Sequence, residues 1–250
     1  MSKVAIITGS SGGIGKSIVK TYINDGYSVV GIDVMSNAEF KHEFYQELEI
    51  DLYRYSKNLN YRNESSFSIK SCLPSKIDKL VIINNAAKQI VKRVSDIAIE
   101  DWDEIIYVNV IAPFFLVQDF IELLRDTNGH VINISSVHSK LTKREFLCYA
   151  ASKAAIESIT RSLAIELSPM GISVNAVAPA AISTKMLEEG FSSDKKGYDL
   201  LKSFHPSRSI GNTEELSNFI KAITDQETRF LTGAVLEFTG GISGKLHDPE

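Results

Sequence analysis

The 250-residue sequence is poor in cysteine and has no excess of positive charge. Its two cysteines, Cys72 and Cys148, are too few for a disulfide framework and have no metal-ligand spacing, so no metal site is predicted. The formal net charge of -4 argues against a nucleic-acid partner or an anionic membrane surface. The function classes that remain are those of a protein that acts on small molecules or on other proteins.

Long hydrophobic runs are also missing. The apolar stretch at residues 4–7 is far shorter than the hydrophobic region of a secretory signal peptide, and no run approaches the roughly 20 residues that span a bilayer. We therefore expect a cytoplasmic protein without a membrane partner. Hydrophobic residues make up 44% of the chain and charged residues 23%, which is typical of a globular protein with a substantial core.

Short runs rich in β-branched residues alternate with segments of helical periodicity. The strand candidates are residues 4–7, 28–32, 79–83, 130–134, 172–177 and 234–238, with a weaker one at 47–50. Helical periodicity covers roughly 13–25, 101–126, 149–168 and 212–224. Strands that are almost wholly apolar are typical of parallel sheets covered on both faces, and strand–helix alternation gives right-handed crossovers. The sequence predicts a single α/β domain over residues 1–250, with a doubly wound Rossmann fold of about seven parallel strands. The segment 34–46 is short for a crossover helix, so the second crossover is expected to be abbreviated.

The first strand candidate runs directly into a glycine turn. Gly9, Gly13 and Gly15 follow Thr8 with the spacing G-x-x-x-G-x-G, and helical periodicity begins in the same stretch. Glycines let the backbone approach a pyrophosphate, whose charge the N-terminus of the next helix stabilises. The spacing differs from the G-x-G-x-x-G fingerprint, and a plain turn between strand and helix is the alternative. We interpret the motif as the binding site of a dinucleotide.

Asp33 bears on which dinucleotide this is. It ends the second strand candidate, 18 residues after Gly15, where a carboxylate would accept hydrogen bonds from the adenosine ribose. The same charge would repel a 2′-phosphate, and the adjoining positions hold Gly12 and Val34, neither of them basic. The sequence therefore favours NAD(H) over NADP(H).

Tyr149 and Lys153 lie four residues apart in a predicted helix, which places them on one face. A neighbouring ammonium favours the phenolate and is expected to lower the pKa of Tyr149 from its usual value of about 10. The phenol could then give and take a proton near neutral pH. Taken alone, such a pair also fits any helix surface.

Together these motifs resemble the short-chain dehydrogenase/reductase family in its single-domain form. Further matches follow in the family's order: residues 84–87 (Asn-Asn-Ala-Ala), Asn109, residues 132–136, residues 175–180, residues 231–233 and residues 240–241. Ala87 and Ala180 stand where the family has glycine, and we expect local adjustment with binding retained. For Asn84, a hydrogen bond at the end of the sheet is as good an interpretation as a ligand contact.

The resemblance implies hydride transfer between a nicotinamide and a secondary alcohol or carbonyl group. Tyr149 would be the acid/base, Ser136 would hydrogen-bond the substrate oxygen, Lys153 would assist Tyr149 and bind the nicotinamide ribose, and Asn109 would hold a water. Ser136 is chosen over Ser135 because it stands thirteen positions before Tyr149, as in the family. The cofactor contacts implied by position are Gly9, Ser11, Gly13, Ile14, Gly15, Asp33, Asp51, Leu52, Asn85, Ala86, Tyr149, Lys153, Ile182 and Thr184.

The substrate is predicted less directly. Residues 183–210 are expected to form a mobile lid, and Ser136, His138, Tyr149 and His205 are candidate substrate contacts. This set would suit a polyhydroxylated substrate such as an aldose or polyol, although each histidine could equally be a surface or loop residue. The tail 242–250 is expected either to be disordered or to cover a neighbouring active site, since members of the family form tetramers or dimers. The alternatives are a catalytically silent nucleotide-sensing or scaffold protein and an NADPH-dependent carbonyl reductase.

Overall fold

Seven parallel strands form the central sheet of the protein, as a computed structural model shows for residues 2–35, 40–192, 194–226 and 229–246. Their order across the sheet is β3-β2-β1-β4-β5-β6-β9, and every neighbouring pair is parallel. The strands are β1 (Lys3–Thr8), β2 (Tyr27–Asp33), β3 (Tyr45–Glu49), β4 (Lys79–Asn84), β5 (His130–Ile134), β6 (Ser173–Pro179) and β9 (Val235–Phe238). A separate short parallel pair joins β7 (Ile182–Ser183) to β8 (Gly211–Asn212). The predicted doubly wound α/β fold is confirmed.

Helices cover both faces of the sheet. They are α1 (Gly13–Asn24), α2 (Leu52–Lys57), α3 (Leu59–Ser71), α4 (Ile99–Ile106), α5 (Ala112–Asp119), α6 (Ile121–Asp126), α7 (Leu147–Leu167), α8 (Lys185–Gly190), α9 (Lys195–Phe204) and α10 (Thr213–Thr224). None of these helices, in the part of the chain described, is long and apolar enough to cross a membrane.

The two cores lie on opposite faces of the sheet because successive residues of a strand point to opposite sides. Ile6 and Ile82 belong to the core that includes residues of α5 and α7, whereas Ile7 and Ile83 belong to the core that includes residues of α1 and α10. All four side chains are fully buried, and each contributes roughly 1.5–3 kcal/mol relative to an exposed position. This two-sided burial explains why the middle residues of β1 and β4, 4–7 and 80–83, are all apolar.

The predicted helix 101–126 is divided in the structure. A π-helical turn, Tyr107–Ile111, separates α4 from α5, and α6 follows after Phe120. Pro113 has no N–H and its ring crowds the preceding turn, so a regular α-helical ladder cannot run through this stretch. The apolar run 111–117 contributes Ala112, Leu116 and Val117 to the core, while Phe114 and Phe115 are only partly buried. The expected homo-oligomer stays a prediction.

The described residues of the second crossover form no helix, in line with the expectation. Residues 34–35 and 40–44 between β2 and β3 contain no helix, and residues 36–39 lie outside the described part of the chain. β3 itself begins two residues earlier than the weaker strand candidate and pairs with β2 at the edge of the sheet.

The turn after β1 brings backbone segments into close contact. Gly9 has a φ of +66°, and a Cβ there would lie 2.8 Å from Cα of Ala86. A Cβ on Gly15 would overlap the carbonyl oxygen of Gly9, whereas one on Gly12 would lie at an ordinary 3.4 Å from the same oxygen. The N-terminus of α1 can therefore lie against the turn only because Gly9 and Gly15 have no side chains.

This close contact predicts different effects for two glycine substitutions. We expect Gly15→Ala to lower the free energy of unfolding by about 2 kcal/mol or more, because its methyl group overlaps backbone that has no room to move. Gly12→Ala, at the exposed N-cap of α1 with an extended φ of -75°, should lower it by less than about 1 kcal/mol, which is the cost of alanine at a helix N-cap. Urea unfolding followed by fluorescence measures both, and equal losses for the two variants would contradict the prediction.

Candidate active site

A cleft of about 980 Å³ crosses the carboxyl ends of the parallel strands, where open α/β sheets bind their ligands. The predicted site residues that line it are Gly9, Gly13, Ile14, Gly15, Asp33, Asp51, Leu52, Asn85, Ala86, Ser136, Tyr149, Lys153, Ile182 and Thr184. Four further predicted residues, Ser11, Asn109, His138 and His205, are not among the described residues that line the cleft. The structure thus brings most of the predicted site together.

The glycine turn can hold an anion. No side chain caps the first turn of α1, and its N-cap is Gly12, so backbone N–H groups there have no side-chain acceptor. The partial positive charge of the helix N-terminus adds to these donors. A Cβ at Gly13 would meet the Thr184 side chain at 3.0 Å, so the segment around β7 closes over this turn. The donor set fits the predicted pyrophosphate.

Asp33 lies at the edge of this turn with its carboxylate already hydrogen-bonded. Oδ2 accepts from the backbone N–H of Ser11 at 2.9 Å, and Oδ1 accepts from that of Val34 at 2.8 Å. Beyond it, the carboxylate of Asp51 accepts from the N–H groups of Tyr53 and Arg54 and so caps α2. Asp51 therefore borders the cleft as a helix cap.

The loop after β4 is tied to the loop after β1. The amide Nδ2 of Asn85 donates to the carbonyl oxygens of Thr8 and Gly9 at 3.0 and 3.1 Å. The Thr8 hydroxyl accepts from the backbone N–H groups of Asn85 and Ala86, both at 3.0 Å. Asn85 thus fixes the distance between the two loops that flank the centre of the cleft.

Asn84 has a different partner. Its Nδ2 donates to Oδ1 of Asn133 at 2.8 Å, and Nδ2 of Asn133 donates to the Thr160 hydroxyl at 2.9 Å. This buried chain joins β4, β5 and α7, so the side chain of Asn84 makes a hydrogen bond at the end of the sheet.

Ser136, Tyr149 and Lys153 meet at the other end of the cleft. Ser136 follows β5 and accepts a hydrogen bond from the N–H of His138 at 3.2 Å, which orients its hydroxyl group. Lys153 is buried one turn along α7 from Tyr149, with Nζ 5.6 Å from the centre of the tyrosine ring. Its ammonium donates to the carbonyl oxygen of Ile134 at 2.7 Å, so the neighbouring strand end holds it in place.

Burial dominates the electrostatics of this pair. It raises the pKa of the Tyr149 phenol, an effect that the nearby Ser136 side chain opposes without overcoming. It lowers the pKa of Lys153 to about 8, because a buried ammonium loses its hydration. The expected lowering of the pKa of Tyr149 by Lys153 is therefore wrong: burial raises this pKa, and the group that lowers it is Ser136, not Lys153.

Asn109 lies in the π-helical turn, behind the cleft. Its Nδ2 donates to the carbonyl oxygen of Lys88 at 2.9 Å and to the Ser152 hydroxyl at 3.0 Å, and its Oδ1 accepts from the N–H of Lys88 at 2.7 Å. The side chain thus binds the loop after β4 to α7 and keeps Lys88 at the cleft wall. The water that the resemblance assigns to Asn109 stays a prediction.

The two candidate substrate histidines are placed differently. The His138 ring lies 4.7 Å from the Phe146 ring and 6.0 Å, edge-on, from the Tyr149 ring; burial, with the nearby charge of Lys143, lowers the pKa of His138. His205 is 2% exposed at the end of α9, where its Nδ1 lies 3.0 Å from the carbonyl oxygen of Leu201. His138 therefore neighbours the Tyr149 phenol, whereas His205 is buried at the end of α9, beside Gly240.

Other residues of the cleft were not predicted. Leu187 and Phe191 of the predicted lid line it, together with Pro179, Lys88 and Gln89. Thr184 accepts from the N–H of Leu187 and caps α8. A threonine N-cap indicates the start of a helix, so Thr184 was the available signal for Leu187 and Phe191. Residue 193 and the side chains of residues 185 and 186 lie outside what the structure describes, as do residues 247–250 of the tail.

The two alanines that replace glycine are accommodated. Neither Ala87 nor Ala180 has a positive φ, since the described non-glycine residues with positive φ are Asn128, Glu145 and Arg208. The backbone N–H of Ala180 donates to the carbonyl oxygen of Phe238 at 3.0 Å, which holds this segment against β9. The described residues contain no cluster of three or more histidine, cysteine, aspartate or glutamate side chains that could hold a metal ion.

The whole chain is similar to known proteins, both in sequence and in structure. The chain is 28% identical to a 3-oxoacyl-[acyl-carrier-protein] reductase of Staphylococcus aureus over 249 residues, covering 97% of this chain and 98% of the relative. It is 25% identical to the solved aldohexose dehydrogenase of Thermoplasma acidophilum, with a TM-score of 0.88 and coverage of 100% of this chain and 97% of the other.

The same fold occurs in structures with either nicotinamide dinucleotide. ElxO with NADP bound and a 4-hydroxyisoleucine dehydrogenase complexed with NADH are each 24% identical to this chain, with TM-scores of 0.86 and 0.87. Each comparison covers 98% of this chain and 100% of the other. The family model for short chain dehydrogenases matches residues 3–195, which include the glycine turn, Ser136, Tyr149 and Lys153. The protein belongs to the short-chain dehydrogenase family.

Proposed function

We propose that the protein is an NAD(H)-dependent oxidoreductase that transfers a hydride between the nicotinamide and a secondary alcohol or carbonyl group. The observation that carries the proposal is one cleft with an anion-binding turn and Asp33 at one end and Ser136, Tyr149 and Lys153 at the other. The strands that bear Asp33 and Ser136, β2 and β5, are three strand spacings apart, or about 14 Å. This distance suits an extended dinucleotide.

The residues of the chain would supply the proton and the stabilisation of charge. The bound nicotinamide would donate or accept the hydride. As a carbonyl is reduced, negative charge develops on its oxygen, and the hydroxyl groups of Ser136 and Tyr149 would donate hydrogen bonds to it. Tyr149 would then give that oxygen its proton, and in the oxidative direction the same residue would remove it.

Lys153 would make the proton transfer possible at neutral pH. With a pKa of about 8, its side chain is mostly protonated at pH 7, despite burial. A positive charge behind the phenol stabilises the tyrosinate that forms when Tyr149 has lost its proton. The hydrogen bond to the carbonyl oxygen of Ile134 keeps the ammonium there throughout.

The substrate proposal rests on the walls at the reactive end of the cleft. Pro179, Leu187 and Phe191 are apolar, whereas Lys88 and Gln89 are polar. We propose a small secondary alcohol or carbonyl compound that presents one face of each kind, with aldoses and polyols as the first compounds to test. Short 3-oxoacyl thioesters belong in the same panel.

Replacing the phenol should abolish turnover. We expect Tyr149→Phe to lower kcat/KM for the best substrate of the panel by at least about 100-fold, because a phenyl ring has no proton to give or take. The affinity for NADH should stay within about threefold, since the ring remains in place. Tyr107→Phe, which removes a hydroxyl from the π-helical turn, is the matched control. Turnover by Tyr149→Phe at the parent rate would refute the assigned role.

The buried lysine should make stability depend on pH. Burial lowers the pKa of Lys153 to about 8, compared with about 10.4 in an unfolded chain. Between these values the unfolded chain binds the proton and the folded chain does not, so stability rises with pH. Relative to Lys153→Met, the parent's free energy of unfolding should rise by about 2 kcal/mol between about pH 7.5 and 9.5.

Urea unfolding at a series of pH values measures this difference. Lys16→Met, at an exposed position on α1, is the matched control and should show no comparable trend against the parent. A difference between parent and Lys153→Met that does not change with pH would mean that the folded protein does not perturb the lysine.

The choice of nucleotide is expected to favour NADH. A 2′-phosphate beside the Asp33 carboxylate would be repelled, so NADPH should bind at least about tenfold more weakly than NADH. Fluorescence titration of the ligand-free protein gives both dissociation constants, and Asp33→Asn should narrow their ratio. Equal or tighter binding of NADPH by the parent would instead favour an NADPH-dependent reductase.

A further inference from the structure

Ser11 joins two carboxylates through two separate donors. Its backbone N–H donates to Oδ2 of Asp33 at 2.9 Å, and its hydroxyl oxygen lies 2.6 Å from Oε1 of Glu47. The carbonyl oxygen of Met35 is a longer contact of the same hydroxyl, at 3.0 Å. Ser11 is thus held between Asp33, which ends β2, and Glu47 on β3.

The position of Glu47 is fixed by the strand that carries it. The hydroxyl of Tyr45 donates to the same Oε1 at 3.1 Å, and burial raises the pKa of Tyr45 to about 12, so this donor keeps its proton. Gly31 of β2 lies opposite Glu47 in the register, and a Cβ there would overlap the Tyr45 hydroxyl. A glycine in the middle of β2 therefore makes room for the hydroxyl that positions Glu47.

This arrangement affects the donors that a 2′-phosphate would need. Phosphate groups are bound by backbone N–H groups, hydroxyls and basic side chains. At Ser11 the N–H is directed at Asp33 and the hydroxyl at Glu47, so carboxylates occupy both donors. A phosphate beside Asp33 would find both Ser11 donors already used and would approach a second negative charge.

We propose that Glu47 is a second determinant of nucleotide choice, which acts with Asp33 to exclude a 2′-phosphate. The inference rests on the proposed function, because it assigns a preference to the same dinucleotide site. The role does not require contact with NADH: Glu47 holds the Ser11 hydroxyl and adds negative charge on the side where the adenosine ribose would lie. Removing that charge should therefore strengthen the binding of NADPH and leave the binding of NADH almost unchanged.

The test compares two substitutions that make the same change in charge. Glu47→Gln keeps an amide oxygen to accept from Ser11 and Tyr45, while Glu43→Gln changes an exposed residue that precedes β3. Dissociation constants for NADH and NADPH are measured by fluorescence titration on the ligand-free parent and on each variant. We expect Glu47→Gln to bind NADPH about five- to tenfold more tightly with NADH within about twofold, and Glu43→Gln to match the parent.

The possible results separate this inference from the proposed function. A parent that binds neither nucleotide would refute both. A parent that binds NADH, with a ratio of the two constants unchanged in Glu47→Gln, would refute only the role of Glu47. If Glu47→Gln weakens both nucleotides equally and lowers the melting temperature, Glu47 is structural and the inference fails. If Glu43→Gln tightened NADPH binding as much as Glu47→Gln, the effect would be one of net charge, and the inference would also be overturned.

Discussion

The contact between the turn after β1 and the first turn of α1 determines the shape of the rest of the site. Because neither Gly9 nor Gly15 has a side chain, the carbonyl oxygen of Gly9 can lie against the helix. The same turn is bound by Asn85 from the loop after β4, which sets how far apart the two walls of the cleft stand. The helix N-terminus proposed to bind the pyrophosphate, the loop after β4 and Ser11, which donates to Asp33, all adjoin this contact.

At the other end of the cleft, burial disfavours the charged forms of both Tyr149 and Lys153. Removing water raises the pKa of Tyr149 and lowers that of Lys153, so both groups are pushed toward their uncharged forms. Any proton transfer that leaves charge on the phenolic oxygen then depends on the neighbouring ammonium and the Ser136 hydroxyl. Lys153 is buried with its ammonium against the carbonyl oxygen of Ile134. A buried charge lowers the free energy of unfolding, so this placement trades stability for a positive charge beside the phenol.

The parts of the site that the sequence predicted are those whose geometry is local. The glycine turn, Asp33 at a strand end and the Tyr149–Lys153 pair each depend on a few neighbouring residues in one element, and the structure places each of them at the cleft. The parallel sheet with helices on both faces followed from strand–helix alternation, whereas the strand order came only from the structure. The helices of residues 52–71 were missed because α2 has only six residues and α3 has weak hydrophobic periodicity; their N-caps, Asp51 and Asn58, were signals that the sequence did contain.

What the sequence did not predict depends on contacts between distant segments. His205 resembles a site residue in the sequence but is buried at the end of α9, beside Gly240, while Leu187 and Phe191 reach the cleft because Thr184 starts α8 beside it. The role of Glu47 requires Gly31, Tyr45 and Ser11 from three elements, and no pattern within one of them reveals it.

The central claim is that the two ends of this cleft cooperate in a hydride transfer. The most direct measurement supplies NADH carrying deuterium at C4 of the nicotinamide with a panel of ketones, ketoses and 3-oxoacyl thioesters, and analyses the alcohols by mass spectrometry. With label on the transferred face, the account predicts a product with one deuterium on the newly formed carbinol carbon. No labelled alcohol from either face of the nicotinamide, in a protein that binds NADH, would contradict the account.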